Sequence, residues 1–114
     1  MNEPEPLLSV IIGAYNCAKT LSESLDSILA QTFTDFVCYV CDDGSSDNTA
    51  DIIKMYTKKD SRIIFLQNEK NSGLSYTLNK MINLCKTPFI ARMDGDDICE
   101  LNRFEKQIDF LQKK

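Results

Sequence analysis

Four short apolar runs alternate with four segments of helical period along this chain, and that alternation restricts the fold more than any other feature. Leu7 to Ile12 is continuous and partly β-branched, as expected of a strand buried on both faces. Leu21, Leu25, Ile28 and Leu29 recur at i, i+4, i+7 and i+8 and predict an amphipathic helix, with Thr20 and Glu23 spaced as a capping box. Phe36 to Cys41 reads as the second strand. Ile52, Ile53 and Tyr56 mark a second helix, with N-cap candidates in Ser45-Ser46-Asp47, and Ile63 to Leu66 a third strand. Leu74, Leu78, Met81, Ile82 and Cys85 mark a third helix. Pro88 opens a fourth strand, Phe89 to Met93, and Leu101, Phe104, Ile108 and Leu111 a last helix. The order βαβαβαβα predicts an α/β domain of three layers, α/β/α, with a mostly parallel sheet and right-handed crossovers.

The chain has 114 residues, 43% hydrophobic and 26% charged, the composition of one ordinary soluble domain. A net charge of -4 leaves no basic stripe, which argues against a nucleic-acid or anionic-membrane binder. With no histidine, nucleophile–His arrangements are excluded within this chain. No apolar run approaches the roughly 20 residues that span a bilayer, so no transmembrane segment is expected. Met1-Asn2-Glu3-Pro4-Glu5-Pro6 lacks a signal-peptide pattern, and a cytoplasmic location is expected. The five cysteines form no framework spacing. Cys38 and Cys41 read as C-x-x-C, but a separation of three on a strand sends the sulfurs to opposite faces, against a zinc or redox pair.

Two acidic clusters each follow an apolar run, where a strand would emerge from the sheet: Asp42-Asp43-Gly44-Ser45 and Asp94-Gly95-Asp96-Asp97. Ligands of open α/β sheets bind outside the carboxyl ends of strands. Carboxylates spaced this closely repel unless a cation or donors compensate them. In the second cluster Gly95 permits a tight turn, and an oxygen-only donor set suits Mg²⁺ or Mn²⁺. The bland alternative is a solvated turn whose first Asp caps the next helix. A calcium loop fits Asp94, Asp96 and Glu105 at positions one, three and twelve, but Ile98 and Cys99 replace the fifth ligand and the required glycine. In the first cluster an Asp could accept from a ribose or base, or serve the following helix as cap and turn. Tyr15 could stack on a nucleobase. Arg92 could orient a carboxylate or form a structural ion pair. Neither G-x-G-x-x-G nor a Walker lysine loop is present, so any phosphate must be held another way, and a metal becomes more necessary.

Taken together, Leu8-Ser9-Val10-Ile11-Ile12, Ala14-Tyr15-Asn16, Ser27-Ile28-Leu29-Ala30-Gln31-Thr32, Asp42 to Thr49, Asn71-Ser72-Gly73-Leu74-Ser75, Ala91 to Asp97 and the Arg103 to Leu111 stretch resemble the nucleotide-binding half of the family 2 inverting glycosyltransferases, with their Rossmann-like GT-A fold. The resemblance implies a nucleotide-diphosphate-sugar donor bound by Ala14, Tyr15, Asn16, Asp43, Asp94 and Asp96. It further implies a DXD element at Asp94 and Asp96, with Asp96 the chief metal ligand and Asp97 a second candidate, and Mg²⁺ or Mn²⁺ as cofactor. The acceptor is left open; the resemblance implies a saccharide or lipid-linked saccharide, which would place the full-length protein at the membrane periphery. Gly13 stands where the family usually has Pro or Thr, a change expected to loosen the base pocket. No catalytic residue is expected within the chain: the base and the acceptor-binding part would lie beyond Lys114. Residues 1–114 are then the donor-binding part of a domain truncated after the DXD element, inactive alone, with apolar surface through which it would dimerise. A receiver-type signalling domain is disfavoured, because its acidic pair follows the first strand. The remaining alternative is a non-catalytic nucleotide- or metal-binding module.

Overall fold

The computed structural model describes residues 6–112. The reading of the N-terminal sequence as lacking a signal, and of the chain's end at Lys113-Lys114, falls on residues that lie wholly or mostly outside the described ones.

The elements follow the expected order: β1 (Leu8–Ala14), α1 (Ala18–Leu29), β2 (Phe36–Asp42), α2 (Thr49–Lys59), β3 (Ile63–Gln67), α3 (Leu74–Ile82), β4 (Phe89–Asp94) and α4 (Arg103–Gln112). All strand pairs are parallel, in the order β3-β2-β1-β4. The chain thus steps outward from β1 to β3, then returns through α3 to the other side of β1. Right-handed crossovers require these two directions to use opposite faces of the sheet. The packing agrees: Leu25, Ile28, Ile53, Tyr56, Phe104 and Ile108 of α1, α2 and α4 share one core with Val10, Ile12 and Val40. Met81 and Leu78 of α3 pack on Ile11, Tyr39 and Cys41 on the opposite face. Cys38 lies in the first core and Cys41 in the second, on opposite faces as their spacing requires. Among the described residues all five cysteines are free.

Several boundaries differ from expectation. Each strand runs one or two residues farther toward its carboxyl end, so Gly13, Ala14, Asp42 and Asp94 belong to strands. Thr20 is not a cap: α1 begins at Ala18 after Cys17, which has no side-chain capping bond. Its first amides are satisfied from the β2–α2 loop, Cys17 N–H donating to Thr49 Oγ1 (3.1 Å) and Ala18 N–H to Asp47 Oδ2 (3.3 Å). Asn48 precedes α2, and Asp47 Oδ1 accepts from Thr49 N–H at 3.0 Å. The third helix stops at Ile82, and Leu101 is an exposed turn residue rather than part of α4. The sheet ends at β4, whose Ile90 is 44% exposed, and no described helix is long and apolar enough to cross a membrane.

Candidate functional site

Strand order decides where a site can form. The direction of winding reverses between β1 and β4, and the loops that leave a sheet at such a point diverge and open a crevice. Register sharpens the placement: Gly13 pairs with Asp94, so Tyr15 and Asn16 emerge beside Gly95 and Asp96. An open pocket of about 720 Å³ lies there, lined by Tyr15, Asn16, Cys17, Lys19, Thr20 and Asp47 on one side and Asp94, Gly95 and Asp96 on the other. A smaller one of about 190 Å³ shares Gly13, Tyr15 and Leu74 with it and reaches Ala14, Asp43 and Asn71. Tyr15, 51% exposed, belongs to both.

Asp94, Asp96 and Asp97 each present a carboxylate oxygen within 4.8 Å of the others. Unit charges at that separation repel by about 1 kcal/mol per pair even in water, and more where solvent is displaced. A backbone lock opposes the repulsion. Asp94 N–H donates to Asp97 Oδ2 at 3.0 Å and Asp97 N–H to the Asp94 carbonyl at 3.1 Å. This spends one oxygen of Asp97 and leaves Asp94 and Asp96 exposed toward the pocket. Asp94 caps no helix, since α4 begins only at Arg103. Arg92 Nη2 lies 3.7 Å from Asp94 Oδ1, a long pair with both side chains about half exposed, so it holds Asp94 weakly. Three oxygen donors with open positions toward solvent fit Mg²⁺ or Mn²⁺, hard ions that complete their shells with water and phosphate. Gly95 is needed for close approach, because a Cβ there would lie 2.7 Å from Cys17 Sγ.

The first acidic cluster is organised differently. Asp42 is fully buried and accepts from Ser45 N–H (3.2 Å) and Gln67 Nε2 (3.1 Å). Asp43 is only 5% exposed, and its carboxylate accepts four bonds. Oδ1 takes Asn68 Nδ2 and Ser72 N–H, both at 2.8 Å, while Oδ2 takes Asn71 Nδ2 and Gly73 N–H, both at 3.1 Å. Burial pushes this carboxyl up, but the bonds from Asn68, Ser72 and Gly73 outweigh it and leave Asp43 below its ordinary value. Asp43 therefore holds the 71–73 loop and the start of α3 against the pocket wall, with its lone pairs already engaged. Gly44, at φ +73°, passes so close to Lys70 and Asn71 that a Cβ would meet their backbone at 2.5 Å.

Asn16 is likewise engaged: in left-handed backbone (φ 48°), its Oδ1 accepts from Ser46 N–H at 2.8 Å and Asp47 N–H at 3.3 Å. Asp47 is held below the ordinary carboxylate range chiefly by the Thr49 hydroxyl. Sequence reasoning did not place Cys17, Lys19, Thr20, Asp47 and Leu74 in the pocket: Thr20, Asp47 and Leu74 read as helix-cap or helix-face positions, and no period or motif marks Cys17 or Lys19. It also found no cation to face a phosphate, whereas the exposed Lys19 lies on the pocket wall. Gly13 does not leave a hole: Leu74 Cδ1 sits 3.0 Å from where a Cβ would stand, so α3 fills that space.

This chain matches the Glycosyl transferase family 2 profile over residues 9–114, and it belongs to that family. It is 44% identical over 109 residues to EpsE of Bacillus subtilis (strain 168), a protein whose glycosyltransferase name is provisional; the match covers 95% of this chain and 39% of EpsE. It is 38% identical over 106 residues to the Escherichia coli enzyme named UDP-Glc:alpha-D-GlcNAc-diphosphoundecaprenol beta-1,3-glucosyltransferase WfaP, covering 93% of this chain and 41% of WfaP. The chain thus spans about two fifths of the length of these relatives. Its structure superposes on S. aureus TarS in complex with UDP-GlcNAc with a TM-score of 0.86 at 29% identity, over 93% of this chain and 31% of that one. The fold is the GT-A arrangement.

Proposed function

We propose that this chain is the donor-binding part of an inverting glycosyltransferase that moves a sugar from a nucleoside diphosphate to an acceptor hydroxyl with the help of a divalent metal. The observation that carries the reading is the convergence of Asp94, Asp96 and Asp97 with Tyr15 at the β1/β4 reversal. In this reading the base lies along Tyr15 in the smaller pocket, which Asp43 shapes through the 71–73 loop, and the diphosphate lies in the larger one near Lys19. Asp94 and Asp96, with the free oxygen of Asp97, hold Mg²⁺ or Mn²⁺. When bound, such an ion supplies Lewis-acid stabilisation to the departing diphosphate.

The acceptor oxygen forms its bond to the anomeric carbon on the face opposite the leaving diphosphate, and its proton passes to a general base. In this reading the base and the acceptor site are supplied from outside residues 1–114, as the greater length of the relatives suggests. A uridine donor is favoured by the TarS complex with UDP-GlcNAc and by WfaP's name, which also favours a lipid-linked saccharide as acceptor. The reaction then belongs in the cytoplasm, at the membrane surface.

The test is an NMR titration of the chain with UDP, GDP and CDP, with and without Mg²⁺, beside an Asp96→Ala variant. Metal-dependent shifts with UDP, centred on Tyr15 and Asp96 and lost in the variant, are expected. Absence of shifts with every nucleotide refutes the donor site, and sugar transfer by residues 1–114 alone refutes the placement of the base.

A further inference from the structure

Thr20, Ser24 and Ser27 of α1, with Gln31 just past its end, fall into one stripe at helical spacing beside the apolar Leu21, Leu25 and Ile28. Ser24 and Gln31 are buried, and none of the described residues carries a buried side-chain nitrogen or oxygen without a hydrogen bond. Besides bonds to carbonyls of α1 and its cap, these side chains reach Gly95, Cys99 and Glu100 in the stretch joining β4 to α4, whose residues 95–102 belong to no ladder or helix, and Phe104 at the start of α4. Thr20 Oγ1 (2.9 Å) and Ser24 Oγ (3.0 Å) donate to the Gly95 carbonyl. Ser27 Oγ accepts from Cys99 N–H at 3.0 Å. Gln31 donates to the Glu100 carbonyl at 2.6 Å and accepts from Phe104 N–H at 3.0 Å. The helix therefore supplies hydrogen bonds that a segment without regular structure cannot make for itself.

We propose that Thr20 and Ser24 are positioning residues: by converging on the Gly95 carbonyl they hold the acidic turn at the spacing in which its carboxylates bind a divalent cation. The proposal rests on the donor-site reading above. A carbonyl oxygen has two lone pairs, and two hydroxyls engage both. That oxygen belongs to the planar Gly95–Asp96 peptide, so fixing it fixes the backbone from which Asp96 projects. On the other side the reciprocal bonds between Asp94 and Asp97 close the turn. Without the clamp, three like charges would relax by opening the turn, and the cation would have to close it at the expense of its own affinity.

The experiment measures Mn²⁺ affinity of the chain in the presence of UDP, by EPR of free Mn²⁺, together with the thermal midpoint. Thr20→Val/Ser24→Ala is expected to weaken Mn²⁺ about tenfold, the lower end of what losing a supporting hydrogen bond costs a metal site. Thr20→Ser, which keeps the hydroxyl, retains wild-type affinity. Ser27→Ala, which frees Cys99 rather than the acidic turn, lowers the thermal midpoint and leaves affinity unchanged. If the double variant fails to fold, Ser24→Ala alone must weaken Mn²⁺ by about threefold, part of the same effect. Wild-type affinity in the double variant, or in Ser24→Ala where that variant decides, overturns the proposal and leaves the donor site standing. Wild-type protein that binds Mn²⁺ no better than Asp96→Ala overturns both.

Discussion

Replacing Asp43 by Asn tests whether this carboxylate organises the pocket wall. The wild-type group accepts four bonds, two on each oxygen, from Asn68, Ser72, Asn71 and Gly73. An amide offers one acceptor oxygen and turns two N–H donors toward whichever pair it abandons, so two donors lose their partner. Each stranded donor costs about 1 to 3 kcal/mol where water is excluded. Asn71 and Ser72 are exposed, so the lower half of that range applies, and the expected loss for two donors is about 2 to 4 kcal/mol. That is a large share of the roughly 5 to 15 kcal/mol available to a domain, yet the variant should fold. Urea unfolding at pH 7 should show a lower midpoint with an unchanged slope. Acid supplies a second readout. Burial raises the Asp43 carboxyl, but its hydrogen bonds outweigh that and hold it below the ordinary value of 3.8. A depressed folded-state value means the stabilisation is complete above 3.8 and is lost as pH falls through the folded value. Wild-type stability should therefore fall below about pH 4 more steeply than that of Asp43→Asn. A loss under about 0.5 kcal/mol, or identical acid slopes, would refute the role assigned to Asp43.

Gly95→Ala should lower stability by about 1 to 3 kcal/mol, because the added Cβ would meet Cys17 Sγ at 2.7 Å. Thermal melts of Gly95→Ala beside Cys17→Ala/Gly95→Ala check this: the second change removes the clashing sulfur and leaves an ordinary contact at 3.5 Å to the Cys17 Cβ, so much of the loss should return. Burial pushes the Cys38 thiol far up, with Arg62 only partly offsetting it. Cys38 should therefore resist iodoacetamide at pH 8 in the folded chain and react on unfolding, as peptide mass spectrometry would show.

The elements themselves were legible because apolar period is a local property: the run Leu8 to Ile12 and the Leu21, Leu25, Ile28 spacing each contain their own signal. Helix starts were not. Thr20 and Glu23 have capping-box spacing, yet the amides at the start of α1 find acceptors on Asp47 and Thr49, about 30 residues farther along the chain, and no window of sequence contains both partners. The acidic turn could be read as a cation-binding candidate because its carboxylates are neighbours in sequence as well as in space. Asp43 and the 71–75 stretch could each be singled out, but nothing in the sequence joins Asn71, Ser72 or Asn68 to Asp43, so its engagement in the loop was invisible.

The deepest gap concerns strand order, on which every statement about the site depends. Alternation of strands and helices is satisfied equally by β4 added beside β3 or beside β1, and only the second choice brings the loop after β1 next to the acidic turn. Packing separates the two. With β1 between β2 and β4, the run Val10-Ile11-Ile12 is covered on both edges and both faces, and all three residues are buried. With β1 at the edge, that same run would be an open apolar template for another chain. β4 carries Arg92 and an exposed Asp94, and charges of that kind are what edge strands use to discourage further pairing. Burial and charge thus agree in making β1 an interior strand and β4 an edge strand. Once β1 is interior, the reversal beside it, and with it the meeting of Tyr15 and Asp96, follows from the right-handed crossover.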